Sequence, residues 1–112
     1  IAAVFIEPMM TEYPKDNFLL KVKKLARKNG AVLIFDEIVT GFRLANGGAQ
    51  ELLNIEADLV AFGKGIANGM PLGAITGKAE FMEKFNDVFY FLSLFLNILL
   101  FSLRIYIFNY YN

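Results

Sequence analysis

Two short apolar runs, with an amphipathic stretch between them, open the chain. Residues 2–6 (AAVFI) and 31–35 (AVLIF) are each five apolar residues long and end at acidic residues. Short runs bounded by turn residues are typical of buried strands. Between them, apolar side chains recur at helical spacing, which predicts a helix with Pro14 in its first turn and a stop at Asn29-Gly30. Strand, helix and strand in this order form a βαβ unit, whose two strands are parallel neighbours.

The same pattern continues further along the chain. Residues 58–62 (DLVAF) predict a third strand, residues 72–76 a further short strand and residues 79–85 a short helix. Because the first two runs are apolar at every position, they fit a sheet that helices cover on both faces. The sequence therefore predicts an α/β fold with a mainly parallel sheet.

Composition excludes several kinds of site. The 112 residues carry 11 basic and 11 acidic side chains, so no net field attracts nucleic acid or an acidic membrane surface. The chain has no cysteine and no histidine, which removes disulfides, thiolate chemistry, histidine bases and nearly all structural zinc sites. We expect no metal site and no nucleic-acid partner.

The sharpest change in composition lies near Phe89. Residues 89–112 hold nine of the 17 aromatic residues and a single charged residue, Arg104, whereas residues 1–88 have a normal globular composition. Residues 88–108 contain 17 apolar residues among 21, which is long enough for a C-terminal membrane anchor. Polar residues within that stretch argue against an anchor, and its dominant amino acids are those of translated AT-rich or frame-shifted DNA. We therefore interpret residues 89–112 as a read-through or frameshift tail outside the globular part.

Ionisable residues follow two of the predicted strands. Asp36 comes directly after residues 31–35, and Lys64 lies two residues beyond residues 58–62. Ligands bind at the carboxyl ends of strands in open parallel sheets. A lysine beside apolar surface loses its proton easily, as a Schiff-base amine must, and a carboxylate there needs a cationic partner. The spacing fits a ligand site and a plain buried Asp36–Lys64 ion pair equally well.

The glycine-rich stretch around Lys64 does not match a nucleotide-binding loop. Gly63, Gly65 and Gly69 are spaced G-x-G-x-x-x-G rather than G-x-G-x-x-G, and the residue after Lys64 is not the Ser or Thr of a Walker A loop. We interpret these glycines as residues of tight turns.

Several linked motifs resemble one known family, the class III aminotransferases, which are pyridoxal-phosphate enzymes of fold type I. The motifs are IEP (residues 6–8), LIFDEIVTGFR (33–43), GGAQE (47–51) and ADLVAFGKGIANGMPLGAITGK (57–78). Their order and spacing are most similar to the glutamate-1-semialdehyde 2,1-aminomutase-like branch. The resemblance covers residues 1–88 and implies that they form part of the large, mainly parallel-sheet domain of such an enzyme.

The resemblance also implies roles for three residues. Lys64 matches the lysine that forms a Schiff base with pyridoxal 5′-phosphate and acts as general base, while Lys78, in the second Gly-Lys pair, is the weaker candidate. Asp36 matches the aspartate that pairs with the pyridine nitrogen, whose protonation makes the cofactor an electron sink. Ile38 matches the branched residue that packs on one face of the ring. The implied reaction is the transfer of an amino group.

Three further charged residues are weaker candidates. Glu12 lies where some members of the family use a glutamate to manage the substrate's second carboxylate or amine, and its alternative is an exposed turn residue. Glu7 is expected to hold structure beside the site. Arg43 fits a surface or interface ion pair at least as well as substrate binding.

Several features of the family have no counterpart in this sequence. These residues hold no counterpart of the phosphate-binding loop, of the aromatic residue on the second face of the ring, of the Gly-Gly loop that reaches the partner subunit, or of the small C-terminal domain. One hypothesis is a fragment, inactive by itself, of a cytoplasmic, homodimeric aminotransferase or aminomutase acting on a small-molecule amino donor and acceptor. The other is a non-catalytic remnant tethered to a membrane by its tail.

Overall fold

A five-stranded sheet and three short helices make up the described part of the chain. The computed structural model describes residues 1–67 and 72–84, together with the backbone of residues 104–109. The strands are β1 (Ala3–Ile6), β2 (Val32–Asp36), β3 (Leu59–Phe62), β4 (Leu72–Gly77) and β5 (Arg104–Asn109). The helices are α1 (Phe18–Lys28), α2 (Gly48–Leu53) and α3 (Ala79–Met82).

The strands lie in the order β1-β2-β3-β4-β5. β1, β2 and β3 are parallel, β4 runs antiparallel to β3, and β5 is parallel to β4. The predicted βαβ unit and the mainly parallel α/β sheet are therefore confirmed. β4 reverses because residues 63–71 are too few for the crossover that a parallel return needs.

The hydrophobic core lies on one face of this sheet. Burial alternates along β2 and β3, so that their buried side chains point to the same side, where α1 packs against β2. The core cluster consists of Leu19, Ala26, Ala31, Leu33, Phe35, Ala57, Val60, Phe62 and Ala74. The other face is only half-buried within the described residues. The prediction that helices cover both faces of the sheet is therefore not met by the residues that the structure describes.

The boundaries of α1 differ from the prediction at one end. Asp16 and Asn17 adopt left-handed backbone conformations (φ 53° and 54°), so the helix begins at Phe18, and the prediction that Pro14 occupies its first turn is wrong. At the other end the predicted stop is confirmed. The Asn29 N–H donates back to the last turn of the helix, and Gly30 takes the left-handed conformation (φ 65°) that glycine adopts without strain.

The apolar tail is described at one place, the backbone of β5. The remainder of the stretch considered as a membrane anchor, residues 88–103, lies outside the described residues. Among the helices of the described ranges, none combines the length and the apolar character needed to cross a bilayer.

Asp58 connects three strands at the edge of the sheet where β3 begins. Its main-chain N–H donates to the Leu33 carbonyl (2.8 Å), and its Oδ2 accepts the Leu33 N–H (2.9 Å). Its carbonyl accepts the Lys78 N–H (3.0 Å), and its Oδ1 forms an ion pair with the Lys78 Nζ. Burial raises the pKa of the Asp58 carboxyl, but the hydrogen bonds from Lys78 and Leu33 outweigh it and the pKa is lowered. The carboxylate form of Asp58 therefore stabilises the fold.

The lowered pKa predicts a pH-dependent stability. Because the carboxyl binds its proton less tightly in the folded than in the unfolded chain, its contribution is complete above the unfolded pKa of about 4 and is lost as pH falls through the folded pKa. We expect Asp58→Asn to lower the free energy of unfolding by about 1–3 kcal/mol at pH 7. Urea denaturation measures this loss, which should shrink at pH 3. An equal loss at both pH values would contradict the assignment.

Candidate functional site

The candidate site lies where β2 and β3 end side by side. Asp36, the last residue of β2, pairs in register with Ala61 of β3, and Lys64 follows β3 by two residues. The parallel pairing therefore brings the Asp36 and Lys64 positions to one edge of the sheet, as the sequence predicts. The two side chains do not form an ion pair with each other, so the alternative of a plain Asp36–Lys64 pair is not what the structure shows.

The Asp36 carboxylate is half-buried and only partly used by the protein. Its Oδ1 accepts the main-chain N–H of Ile38 (3.0 Å), which holds the carboxylate in a fixed direction at the strand end. Within the described residues, Oδ2 has no hydrogen-bond partner. One oxygen of a well-held carboxylate is thus left to bind a cationic or N–H group.

Ile38 lies over the turn that carries Lys64. A Cβ placed on Gly63 would lie 3.3 Å from the Ile38 Cγ2, closer than ordinary packing allows. Glycine at position 63 therefore lets the Ile38 side chain approach the backbone directly before Lys64. The half-buried Ile38 provides an apolar surface between the Asp36 end and the Lys64 turn.

Lys64 occupies a strained backbone conformation. Its φ is 40°, in the left-handed region that L residues avoid, and it begins a single 3₁₀ turn over residues Lys64–Ile66. Its side chain is exposed. Strained residues of this kind cluster at functional sites, where the surrounding structure holds them. Lys64 is therefore presented to solvent by a strained turn at the end of β3.

The second Gly-Lys pair lies at the opposite edge. Because β4 runs antiparallel to β3, its final residue, Gly77, pairs with Leu59 at the start of β3. Lys78 consequently lies beside Asp58, to which it is bound through both its main chain and its ammonium group. Lys78 has a structural role, which leaves Lys64 as the lysine of the candidate site.

The weaker candidates are distributed around this edge. Glu12 lies in the exposed segment after β1, its side chain 77% exposed, with its Oε2 3.5 Å from the Lys15 Nζ. Glu7 directly follows β1 and is half-buried at the same edge as Asp36. Arg43 lies against the Lys64 turn, because a Cβ on Gly65 would be 3.5 Å from its Cγ and 3.6 Å from its Nε. The structure thus brings Arg43 to the site and leaves Glu12 on an exposed turn.

Sequence reasoning missed the most deeply buried charged residue of this region, Glu37. Its side chain is 0% exposed and accepts three hydrogen bonds. The main-chain N–H groups of Ala49 and Gln50 each donate to it over 2.8 Å. The Thr40 hydroxyl donates the third hydrogen bond. Glu37 therefore caps α2, a helix that apolar spacing did not reveal. One sequence signal could have identified this cap. A carboxylate, Glu37, directly follows a buried strand, and a Gly-Gly pair, Gly47-Gly48, comes later in the chain.

Comparisons with known proteins agree on the kind of protein. A sequence model of the family described as aminotransferase class-III matches residues 1–88. Glutamate-1-semialdehyde 2,1-aminomutase of Alkaliphilus oremlandii is 56% identical over 87 residues, which cover 74% of this chain and 20% of that protein. The chain thus spans about a fifth of the length of the curated relatives it matches. The family resemblance carried by the motifs is confirmed.

Solved structures show the same likeness. An omega-transaminase from Sphaerobacter thermophilus matches with a TM-score of 0.64 and 42% identity, covering 71% of this chain and 19% of that one. A glutamate-1-semialdehyde-aminomutase from Pseudomonas aeruginosa PAO1, in complex with PMP, matches with a TM-score of 0.54 and 31% identity, covering 60% and 16%. The fold is therefore that of the fold type I transaminases.

The strain at Lys64 predicts an unusual effect of glycine. Lys64→Gly and Lys64→Ala both remove the amine, but only glycine adopts a φ of 40° without strain. We expect Lys64→Gly to be about 1 kcal/mol more stable than Lys64→Ala in urea denaturation. At Lys24, on an exposed position of α1, the order should reverse, with alanine about 1 kcal/mol more stable than glycine. If alanine is more stable than glycine at position 64 as well as at position 24, the Lys64 turn is unstrained.

Proposed function

Because this chain belongs to the class III aminotransferase family, we propose that residues 1–88 form the cofactor-binding part of an enzyme that transfers an amino group with pyridoxal 5′-phosphate. The observation that carries the proposal is the shared sheet edge, where a directed aspartate and an exposed, strained lysine lie at neighbouring strand ends. The proposed cofactor-binding part does not include residues 89–112.

The residues at the edge fit this cofactor. The Asp36 Oδ2, which has no partner in the described part of the chain, suits a protonated pyridine nitrogen, and the Ile38 side chain suits the apolar face of a ring. The exposed Lys64 amine suits an aldehyde. When bound, pyridoxal phosphate supplies the electron-withdrawing ring that stabilises negative charge at the substrate α carbon.

Each of the three residues has a separate task in the proposed reaction. The Lys64 Nζ would hold the cofactor between turnovers and, once free, would act as the general base that moves a proton between the substrate Cα and the cofactor carbon. The Asp36 carboxylate holds the proton on the ring nitrogen through its negative charge. The Ile38 side chain would pack on one face of the ring.

The curated relatives support an aminomutase rather than an exchange between two substrates. The curated relatives and one of the solved structures carry the name glutamate-1-semialdehyde 2,1-aminomutase, and we propose that the whole enzyme moves an amino group within a small amino aldehyde of this kind. The homodimeric, cytoplasmic form that the family resemblance implies belongs to the same proposal. None of these relatives favours the membrane-tethered remnant.

Selective modification of Lys64 tests the proposal. The full 112-residue chain is incubated with pyridoxal phosphate, reduced with borohydride and digested, and the modified fraction of each lysine is measured by mass spectrometry. We expect Lys64 to be modified at least about tenfold more than Lys78, because Lys64 is exposed beside Asp36 and Ile38 whereas Lys78 is paired with Asp58. A visible absorption band should accompany the modification before reduction.

Two matched variants separate the site from general lysine reactivity. Lys64→Ala should abolish the band, whereas Lys78→Ala should retain it in chains that circular dichroism shows to be folded. Asp36→Asn should weaken cofactor retention, because an uncharged side chain holds a protonated ring nitrogen less well. Modification of Lys64 no greater than that of Lys78 or of the α1 lysines would contradict the proposal.

A further inference from the structure

We propose that Glu37 is a positioning residue for the Lys64 site. It acts by fastening the segment of residues 38–48 against the turn that carries Lys64. This inference rests on the proposed function, because the site that Glu37 would position is the one assigned there to the cofactor.

Glu37 holds both ends of this segment. At the amino end its main-chain N–H donates to the Ala61 carbonyl (2.9 Å), which joins the end of β2 to β3. At the carboxyl end its side-chain oxygens accept the N–H groups of Ala49 and Gln50. A single residue therefore sets where the segment leaves the sheet and where it enters α2.

The same residue folds the start of the segment into a tight turn. The Glu37 carbonyl accepts the Gly41 N–H (2.7 Å), and the Glu37 carboxylate accepts the Thr40 hydroxyl. Thr40 is itself buried, and its carbonyl accepts the N–H groups of Arg43 and Leu44 at 3.2 Å each. The turn of residues 38–44 is thus built around the Glu37 side chain.

This turn lies directly against the Lys64 turn. A Cβ on Gly65 would lie 2.9 Å from the Gly41 carbonyl oxygen, and a Cβ on Gly41 would overlap the Phe62 ring. The Phe42 and Phe62 rings lie 5.3 Å apart, and Phe42, like Lys64, has a left-handed backbone (φ 61°). The backbones of the two turns therefore approach each other closely at Gly41 and Gly65.

Gly48 completes the arrangement by leaving room for the carboxylate. A Cβ at this position would lie 2.7 Å from the Glu37 Cδ and would displace it. Gly48 also has a φ of 77°, so any L residue there is strained as well. The GGAQE and LIFDEIVTGFR motifs are consequently one structural unit, joined through Glu37.

Glu37→Gln tests the positioning role. The substitution keeps the size of the side chain but replaces one acceptor oxygen with an NH₂ group that faces a main-chain N–H or the Thr40 hydroxyl. We expect the ratio of Lys64 to Lys78 modification by pyridoxal phosphate to fall by about tenfold, towards the value for unselective lysines, because a reactive group misplaced by about 1 Å loses the advantage of its position. The ratio is measured on the full chain under conditions where circular dichroism shows it folded.

Asp58→Asn provides the control for a purely structural effect. It weakens a buried carboxylate interaction at the opposite edge but keeps the main-chain hydrogen bond from Asp58 to Leu33. It should therefore lower the melting temperature without lowering the modified fraction of Lys64. For this control the Lys64 fraction itself is compared, because the substitution also releases Lys78 from its ion pair. If Glu37→Gln lowers stability as Asp58→Asn does and leaves Lys64 modification unchanged, Glu37 is a structural residue and the positioning role is overturned.

A second pair of variants tests the role without changing Glu37. Gly48→Ala and Gly30→Ala introduce a methyl group at similar left-handed positions, but nothing lies within 4 Å of the Cβ at Gly30, whereas the Cβ at Gly48 meets the Glu37 carboxylate. Gly48→Ala alone should reduce Lys64 modification. These two variants test the positioning role even if Glu37→Gln fails to fold. Equal Lys64 modification in Gly48→Ala and Gly30→Ala would overturn the inference.

The outcomes also separate this inference from the proposed function. In one outcome, Lys64 is modified selectively in the unsubstituted chain while neither Glu37→Gln nor Gly48→Ala changes that selectivity. This result would overturn the positioning role and leave the proposed function standing. Without selectivity in the unsubstituted chain, the proposed function fails and the positioning role fails with it.

Discussion

The parallel pairing of β2 with β3 is the constraint on which the candidate site depends. At the edge where β3 begins, Asp58 bonds to Leu33 through both its main chain and its side chain. At the other edge, the Glu37 N–H bonds to the Ala61 carbonyl. Because the pair is held at both ends, its register cannot slip by a residue without breaking buried hydrogen bonds. The positions of the Asp36 and Lys64 backbones follow from that register.

The site is built from conformations that are unfavourable when taken singly. Phe42 and Lys64 each adopt a left-handed backbone, which costs an L residue about 1–2 kcal/mol. The buried hydrogen bonds of Glu37 and the packing of Phe42 on Phe62 offset this cost. The result is an exposed amine on a backbone that has little freedom to relax. In the proposed function, a support held in this way would reduce the reorganisation that a bound reactant requires.

Local patterns in the sequence predict most of the sheet and the two central site positions. The strands are short apolar runs between turn residues, and parallel topology alone places Asp36 and Lys64 at one edge. The start of α1 was misplaced, because the left-handed Asp16 and Asn17 leave no trace in apolar spacing. Helix α2 and the role of Glu37 were missed for a different reason. They depend on each other across a dozen residues, through hydrogen bonds that the spacing of apolar residues does not record.

The contact between Glu37 and Gly48 has a consequence for how this family varies in sequence. Since a side chain at position 48 would occupy the space of the carboxylate, the two positions cannot change independently. A residue other than glycine at 48 should occur together with a shorter acid at 37, and should then be asparagine, which tolerates a left-handed backbone and adds no second buried charge. Correlated substitution at positions 37 and 48 would identify the family members in which an acid at position 37 still binds the start of α2. Members without that correlation would have to support the turn of their lysine through other contacts.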